Sequence, residues 1–437
     1  MKRILIISSF ILSCPATTFA QKQWTLTECI DYAIEHSINI QRQQDAVKQQ
    51  ELSLSTAKNS RLPDLSASAG ENFGFGRALT SNNTYENNST TSTSFSLGTS
   101  VPLITGGRIP AEIAKSKINL QAALADLDKA KQDISLNVAS AYLEAICAKE
   151  LVDVARKQVE LTKAQKHRIE ELVKNGKLAE TQLAEINATL ANDELSLTQQ
   201  TNNSTIALLT LSQLLELPTP EGFDIANVDV DGIETASLAN PDATYSEAVV
   251  SKPQILAQEL RIKSAERDID ISKSGLYPSL YFSAGLGSNY YNTSGYQVKS
   301  FGKQIKDNFN QYIGLSLSVP IFNRFSTRNN IRSAQIQLHS QQLTLDETKK
   351  ALYKEIQQAY YNALAAQKQC ASSATALKAS ETAFNLMEKK YENGKATSIE
   401  YQESKTSLAK AQSNNIQAIY TFIFRNKILN FYRGITL

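Results

Sequence analysis

Apolar positions along this chain follow two periods, one near seven and one of two, and these alternate in a fixed order. Glu28 to Arg61 reads as a helix, with Ile30, Ala33, Ile34, Ile38 and Val47 on one side, and Pro63 ends it. Strict alternation follows. Leu65, Ala67, Ala69, Phe73 and Phe75 share one face, while Asp64, Ser66, Ser68, Gly70, Asn72, Gly74 and Gly76 share the other; Glu71 is the one charged residue on the apolar side. A polar loop is expected over Ser81 to Ser92, after which Phe95, Leu97, Val101 and Leu103 resume the alternation. Period two means strands, here a hairpin over about 64–103. From Ile109 to Val173 there is neither proline nor glycine, and Ile113, Leu120, Leu127, Ile134, Ala141, Ala148 and Ala155 mark a seven-residue period. Leu124, Val138, Ala145, Val152 and Val159 supply a second seam. Sustained heptads mean coiled-coil packing, and a helix of about 65 residues is about 100 Å long. Asn175-Gly176 turns the chain, and a return helix is expected from Ala179 to Leu217.

The whole series then recurs about 218 residues later. Asn393-Gly394-Lys395 repeats Asn175-Gly176-Lys177, Ala359-Tyr360 repeats Ala141-Tyr142, and Ile331, Leu338, Leu345 and Leu352 repeat the first heptad series. The second copy predicts a helix over Tyr245 to Leu276, a hairpin over about 279–321 and a loop near Tyr291 to Asp307 within it. A long helix from Thr327 to Tyr391 and a return helix from Thr397 to Tyr432 complete it. The organisation is therefore a leader over 1–20, repeat one over 21–217, a linker over 218–244 and repeat two over 245–437. The fold class is mainly α with a small β part: duplicated long coiled-coil helices plus two β-hairpins per chain.

The strands carry the functional information. Their non-apolar faces are rich in Gly and Ser and nearly free of charge, which suits a crowded barrel interior better than a solvated sheet face. Four strands cannot close a membrane barrel, and an open edge in lipid leaves backbone groups unpaired. The strands must then be pooled from several identical chains; a homotrimer gives a twelve-stranded barrel. In the helices, alanines at the middle of each seam (Ala141, Ala145 and Ala148; Ala359, Ala363 and Ala366) allow close approach, as in a tightly walled tube.

Composition narrows the classes. The 437 residues carry a formal charge of only +2, which argues against nucleic acid as a partner. Lys2 and Arg3, the apolar run Ile4 to Leu12 and Thr18-Phe19-Ala20 form a secretory leader, with Cys14 as an alternative lipid-bearing residue. The remaining Cys29, Cys147 and Cys370 are odd in number and widely spaced, so no disulfide framework is implied. His36, His167 and His339 stand apart, and no nucleophile elbow, phosphate loop or dinucleotide fingerprint is present, so no catalytic residue, metal or cofactor is expected. Asp229-Val230-Asp231-Gly232 faintly resembles a calcium loop without the distal glutamate, and reads as a turn.

Leader, duplicated helix–hairpin–helix–helix units and Gly turns together resemble the TolC-type outer-membrane efflux channel family across essentially the whole mature chain. The second turn carries the most specific likeness. Family members often show an aromatic residue, Gly three positions on, and acidic residues six and nine positions after that Gly; here these are Tyr391, Gly394, Glu400 and Glu403. Trp24-Thr25-Leu26 followed by Cys29-Ile30 and Ala33 is also similar to family N-termini. The resemblance implies a homotrimer in the outer-membrane lipid with a twelve-helix periplasmic tunnel. It also implies a periplasmic adaptor and an inner-membrane pump, of resistance-nodulation-division or ATP-driven type, which supplies the energy. Glu400, Glu403, Glu185 and Tyr391 would then stand at the pore entrance, the carboxylates raising one another's pKa, and Gly176, Lys177, Gly394 and Lys395 would form the adaptor-docking tips. Some members carry Arg two positions after the second Gly and Asp six after the first; this chain has Ala396 and Gln182, so the resemblance does not extend to their salt-bridge lock.

The competing reading is an exported coiled-coil scaffold or adhesin without a pore. It accounts for the heptads but not for matched apolar–small hairpins in both copies. The exported cargo is not written in either reading, because a passive duct takes its specificity from its pump.

Overall fold

The structure is a computed structural model that describes residues 23–79, 83–219, 221–226, 238–294 and 296–435. The expected leader with Cys14, and the expected turn at Asp229 to Gly232, lie outside these residues. In chain order the elements are β1 (Gln23–Trp24), α1 (Leu26–His36), α2 (Ile38–Asn59), β2 (Ser66–Leu79), β3 (Tyr85–Thr105), α3 (Arg108–Lys174) and α4 (Glu180–Leu214). They continue with β4 (Asp224–Ile225), α5 (Pro241–Ser251), α6 (Pro253–Ser274), β5 (Ser279–Thr293), α7 (Phe301–Asp307), β6 (Asn310–Ser318), α8 (Ser326–Glu392) and α9 (Ser398–Tyr432). Helices α3 and α8 each have 67 residues, and α4 and α9 each have 35. Two compact units form, one from 23–40, 131–247 and 355–435, the other from 41–130 and 248–354. Each draws on both sequence copies.

Several elements differ from the sequence expectation. The helix expected over Glu28 to Arg61 is two helices, broken at Ser37, whose ψ of 126° is not helical. The helix expected over Tyr245 to Leu276 is likewise broken at Lys252, with ψ 126°. Lys252 precedes Pro253, and a residue before proline is pushed out of the α region. Apolar periodicity runs through both breaks, which is why it did not reveal them. Strand β3 begins at Tyr85, inside the expected loop, because pairing with β2 and β5 holds a polar stretch extended. Helix α7 stands in the loop expected between β5 and β6. The two-residue strands β1 and β4 pair in parallel, and were too short to show in any pattern.

In the unit built from 41–130 and 248–354, the strands form one antiparallel sheet in the order β2-β3-β5-β6, leaving β2 and β6 as edges. Register aligns Ala67, Leu97, Leu286 and Gln311 across the sheet, then Val101, Phe282 and Leu315 further along the same face. Much of that face is open: Phe75 is 82% and Ile313 79% exposed. The opposite face carries mostly small residues, with the rings of Tyr281, Tyr291 and Tyr312 among them. Gly285 faces Tyr312, and a Cβ there would fall 2.6 Å from the tyrosine ring, so glycine lets the ring lie over the strand and a side chain would displace it. Asn119, Asp126 and Lys115 of α3 tie α6 down through Ser264 (2.6 Å), Arg261 (2.5 Å) and Asp268 (2.6 Å).

The corner from sheet to long helix is built twice. Gly106 and Gly107 hold φ of 60° and 84° before α3; Arg324 and Phe325 hold 55° and 61° before α8. Glycine takes this left-handed backbone freely, whereas a side chain costs about 1–2 kcal/mol per residue. The second copy carries that strain.

In the other unit the middle of the alanine seam is buried: Ala145 and Ala363 are 0% exposed, and Val138, Ile146, Leu211 and Ile356 are buried as well. Tyr142 anchors β1 and β4 to α3, its hydroxyl shared between Trp24 O (3.0 Å) and Ala226 O (2.9 Å). Lys149 pairs with Asp224 at 2.9 Å beside it.

Candidate functional site

The two turns of the helical unit are near copies. Asn175 Nδ2 donates to Glu171 O, and Asn393 Nδ2 to Lys389 O, both at 2.7 Å. Gly176 (φ 68°) and Gly394 (φ 69°) reverse the chain, with Lys177 N–H closing on Leu172 O and Lys395 N–H on Lys390 O, each at 2.8 Å. These are Schellman closures, in which a left-handed residue lets two N–H groups satisfy the last carbonyls of the helix. Nothing lies within 4 Å of a Cβ placed on either glycine, so both turns present open backbone, and Lys177 and Lys395 follow directly.

Past the turns the copies diverge. Helix α9 opens with a capping box: Glu400 Oε2 accepts from Thr397 N–H at 2.8 Å and Thr397 Oγ1 at 2.9 Å, while Glu400 N–H donates to Thr397 Oγ1. Helix α4 has Ala179 as N-cap and no side-chain cap. The difference between Gln182 and Glu400 thus has a local cause, because only the second copy has a hydroxyl to complete the box. The Thr397 backbone N–H, and then its hydroxyl, hold the Glu400 carboxyl below its ordinary range. Within one chain this runs opposite to the rise expected from a carboxylate ring. Glu403 and Glu185 come together, lining one open groove between α9 and α4 with Ile186, Ile399 and Thr406. Both are exposed, so the groove carries two carboxylates on its open side.

Tyr391 stacks on Tyr401 at 4.7 Å between centroids and 26° between planes, against Phe384 and Leu408. Its hydroxyl accepts from Gln165 Nε2 at 3.5 Å, and Gln165 Oε1 is buried with no partner among the described residues. Burial pushes the Tyr401 phenol up to about 12, so it stays protonated. Nearby, Arg168 donates to Glu392 O at 3.1 Å.

One constellation was missed by sequence reasoning. Lys405 of α9 is 2% exposed, and its Nζ donates to Asp193 of α4 at 2.7 Å and to Thr162 Oγ1 of α3. Thr162 Oγ1 in turn faces Asp193 Oδ2 and Gln158 O. Three helices are pinned by one buried ammonium. A signal existed: Lys405 falls four after Tyr401 and three before Leu408, on the apolar stripe of its helix, and Asp193 lies between Leu190 and Leu197 in the same way. Charges at core spacing are rarely idle.

Among the described residues no group of three or more His, Cys, Asp or Glu is arranged to hold a metal, and no helix is long and apolar enough to cross a membrane. Glu403 and Glu185 share the groove, Tyr391 belongs to the aromatic stack, and Glu400 closes the cap of α9. Their setting is a groove and an aromatic stack just beyond two exposed turns.

The comparisons agree with this architecture. The family model described as outer membrane efflux protein matches residues 29–216 and 244–422. The chain belongs to that family, which places it in the outer membrane. It is 23% identical over 306 residues to the pyoverdine export outer membrane protein OpmQ of Pseudomonas putida, covering 67% of this chain and 60% of that protein. It is 23% identical over 300 residues to the outer membrane protein TolC of Escherichia coli K12, covering 67% of this chain and 59% of that one. These matches thus span about 60% of the relatives' own lengths. Among solved structures, the Campylobacter jejuni CmeC outer membrane channel superposes with a TM-score of 0.78 at 17% identity, covering 94% of this chain and 86% of that one. The open state of the Neisseria gonorrhoeae MtrE outer membrane channel gives 0.75 at 18% identity, covering 94% and 89%. At these identities the likeness is one of fold.

Proposed function

We propose that this protein is the outer-membrane exit duct of a tripartite efflux or type I secretion system. It conducts passively what an inner-membrane pump and a periplasmic adaptor deliver. The observation that carries the reading is the open sheet. Four strands present an apolar outer face and a small-residue inner face, and leave β2 and β6 unpaired at the edges. Lipid forbids such edges, so β6 of one copy pairs with β2 of the next, and three copies close a twelve-stranded barrel. Exposed Ile336 (72%) and Leu343 (56%) on α8 are apolar surface for the same neighbours to cover. A pore-less scaffold leaves the sheet without a purpose.

In this assembly the Gly176 and Gly394 turns, with Lys177 and Lys395, meet the adaptor. Glu185 and Glu403 ring the entrance from their shared groove, Glu400 stands at the same level, and Tyr391 packs behind them. The duct performs no catalysis; the pump, whether of resistance-nodulation-division or ATP-driven type, supplies the energy. Heat-sensitive migration of the purified protein on a gel tests the assembly. A band at three times the chain mass that collapses to one on boiling is expected, and a monomer under every mild detergent would refute it.

A further inference from the structure

Helix α7 occupies the place where β6 stops. Strand β5 runs on from Gly287, its last residue paired with β6, to Thr293, so its backbone there faces no strand on that side. Side chains from the α7 segment take over. Gln304, buried, donates to Tyr291 O at 3.0 Å and accepts from Tyr291 N–H at 3.0 Å; Asn308 Nδ2 donates to Asn289 O at 2.7 Å; Ser288 Oγ donates to Ile305 O at 2.6 Å. The segment is therefore a built element and not a passing loop.

Its position is informative. Phe301 reaches over the apolar face of the sheet, with its ring 5.1 Å from Tyr290 and 6.5 Å from Phe95. Counting from Ser279, where β5 leaves the helices, Tyr290 lies at the reach of about 9–11 residues that takes a tilted strand across a bilayer. Phe301 and Phe309 remain 48% and 57% exposed at that level, the position of an aromatic girdle. Gln304 and Ile305 share the sheet-facing side of α7 with Phe301, while Lys303 and Lys306 stand exposed on the opposite side, and Lys299, paired to Asp307 at 2.7 Å, precedes them.

We propose that α7 is an anchor at headgroup level that takes the phosphate groups of outer-leaflet lipids. Phe301 and Phe309 enter the acyl boundary, and Lys303 and Lys306 meet the phosphates directly above it. Rings toward the sheet's apolar face and ammonium groups on the opposite side of one short helix suit a surface where hydrocarbon borders phosphate, and hydrocarbon excludes the lysines from any deeper place. This rests on the sheet being bilayer-spanning.

The test uses the full-length protein in phosphatidylcholine bilayers, with spin-labelled phosphatidate or spin-labelled phosphatidylcholine as probe. The motionally restricted fraction of each reports its association with the protein. The wild type is expected to favour phosphatidate several-fold, and Lys303→Gln with Lys306→Gln to bring the ratio close to one while pore formation persists. Equal association in the wild type, or a preference that survives both substitutions, would overturn the anchor and leave the duct standing. If a second copy covers α7 instead, the substitutions will lower the heat stability of the assembly without changing the lipid ratio, which also overturns it. No restricted lipid with either probe would overturn the anchor and the duct together.

Discussion

Lys405 and Asp193 meet across α9 and α4 at 2.7 Å, with the lysine side chain 2% exposed. Removing one partner of a buried pair leaves the other charge uncompensated, at a cost of about 3 kcal/mol, whereas replacing both by apolar residues is often near neutral. Lys405→Met alone should therefore speed amide hydrogen exchange in α9 around position 405 and in α4 around 193. Lys405→Met with Asp193→Leu should restore much of the protection. Equal exchange in the single and double variants would mean the pair is not coupled.

The capping box at Thr397 and Glu400 gives a pH dependence with a definite sign. The Glu400 pKa is lowered in the fold. Its contribution is therefore present above the ordinary carboxylate range and lost as pH falls through the lowered folded value. Acidification should fray the first turn of α9, seen as faster exchange there, and Glu400→Gln should flatten that dependence. Thr397→Ala should loosen the same turn by about 1 kcal/mol. The α4 start, capped by Ala179, should not share the response.

The groove that Glu185 shares with Glu403 predicts selectivity. Glu185→Gln with Glu403→Gln, and separately Glu400→Gln with Glu403→Gln, should lower cation over anion preference. Reversal potentials in asymmetric potassium chloride measure it. Values identical to the wild type would remove these carboxylates from the conduction path.

Gly394 has φ 69° and open space around it, so a side chain there alters the surface of the turn without striking the core. Gly394→Val should keep heat-sensitive trimers on a gel yet abolish export. Normal export would take the turn out of adaptor docking. The local strain costs about 1–2 kcal/mol.

At the other corner the strain runs the opposite way. Arg324 at φ 55° stands where the first copy has Gly106. Arg324→Gly should stabilise the corner by up to about 1 kcal/mol, read as a higher thermal midpoint. Gly107→Val, at φ 84°, should lower it.

The long helices and the hairpins were legible because their apolar residues repeat at fixed spacing over many turns. Ile113 to Ile134 and Leu65 to Phe75 declare their period whatever surrounds them. The break at Ser37 was hidden because a single non-helical residue does not disturb the stripe on either side, whereas that at Lys252 was announced by Pro253 and masked only by the periodicity running through it. Strand β3 from Tyr85 to Thr93 was hidden because its residues are mostly polar and owe their conformation to pairing with β2, joined by β5 from Thr90 on. At the turns, Gly176 and Gly394 announce themselves by residue type, as does the capping box Thr397-x-x-Glu400. The joint placement of Glu185 and Glu403 depends on which helix packs on which, and no local pattern encodes that, whereas the burial of Lys405 was signalled by its place on the apolar stripe of its helix.

The central claim is that copies of this chain close a conducting barrel, and current through a planar bilayer tests it most directly. Purified wild-type protein should give discrete, long-lived steps of uniform size, altered by Glu400→Ala with Glu403→Ala. A stable trimer that inserts into the bilayer yet passes no current, with or without those two substitutions, would contradict the account.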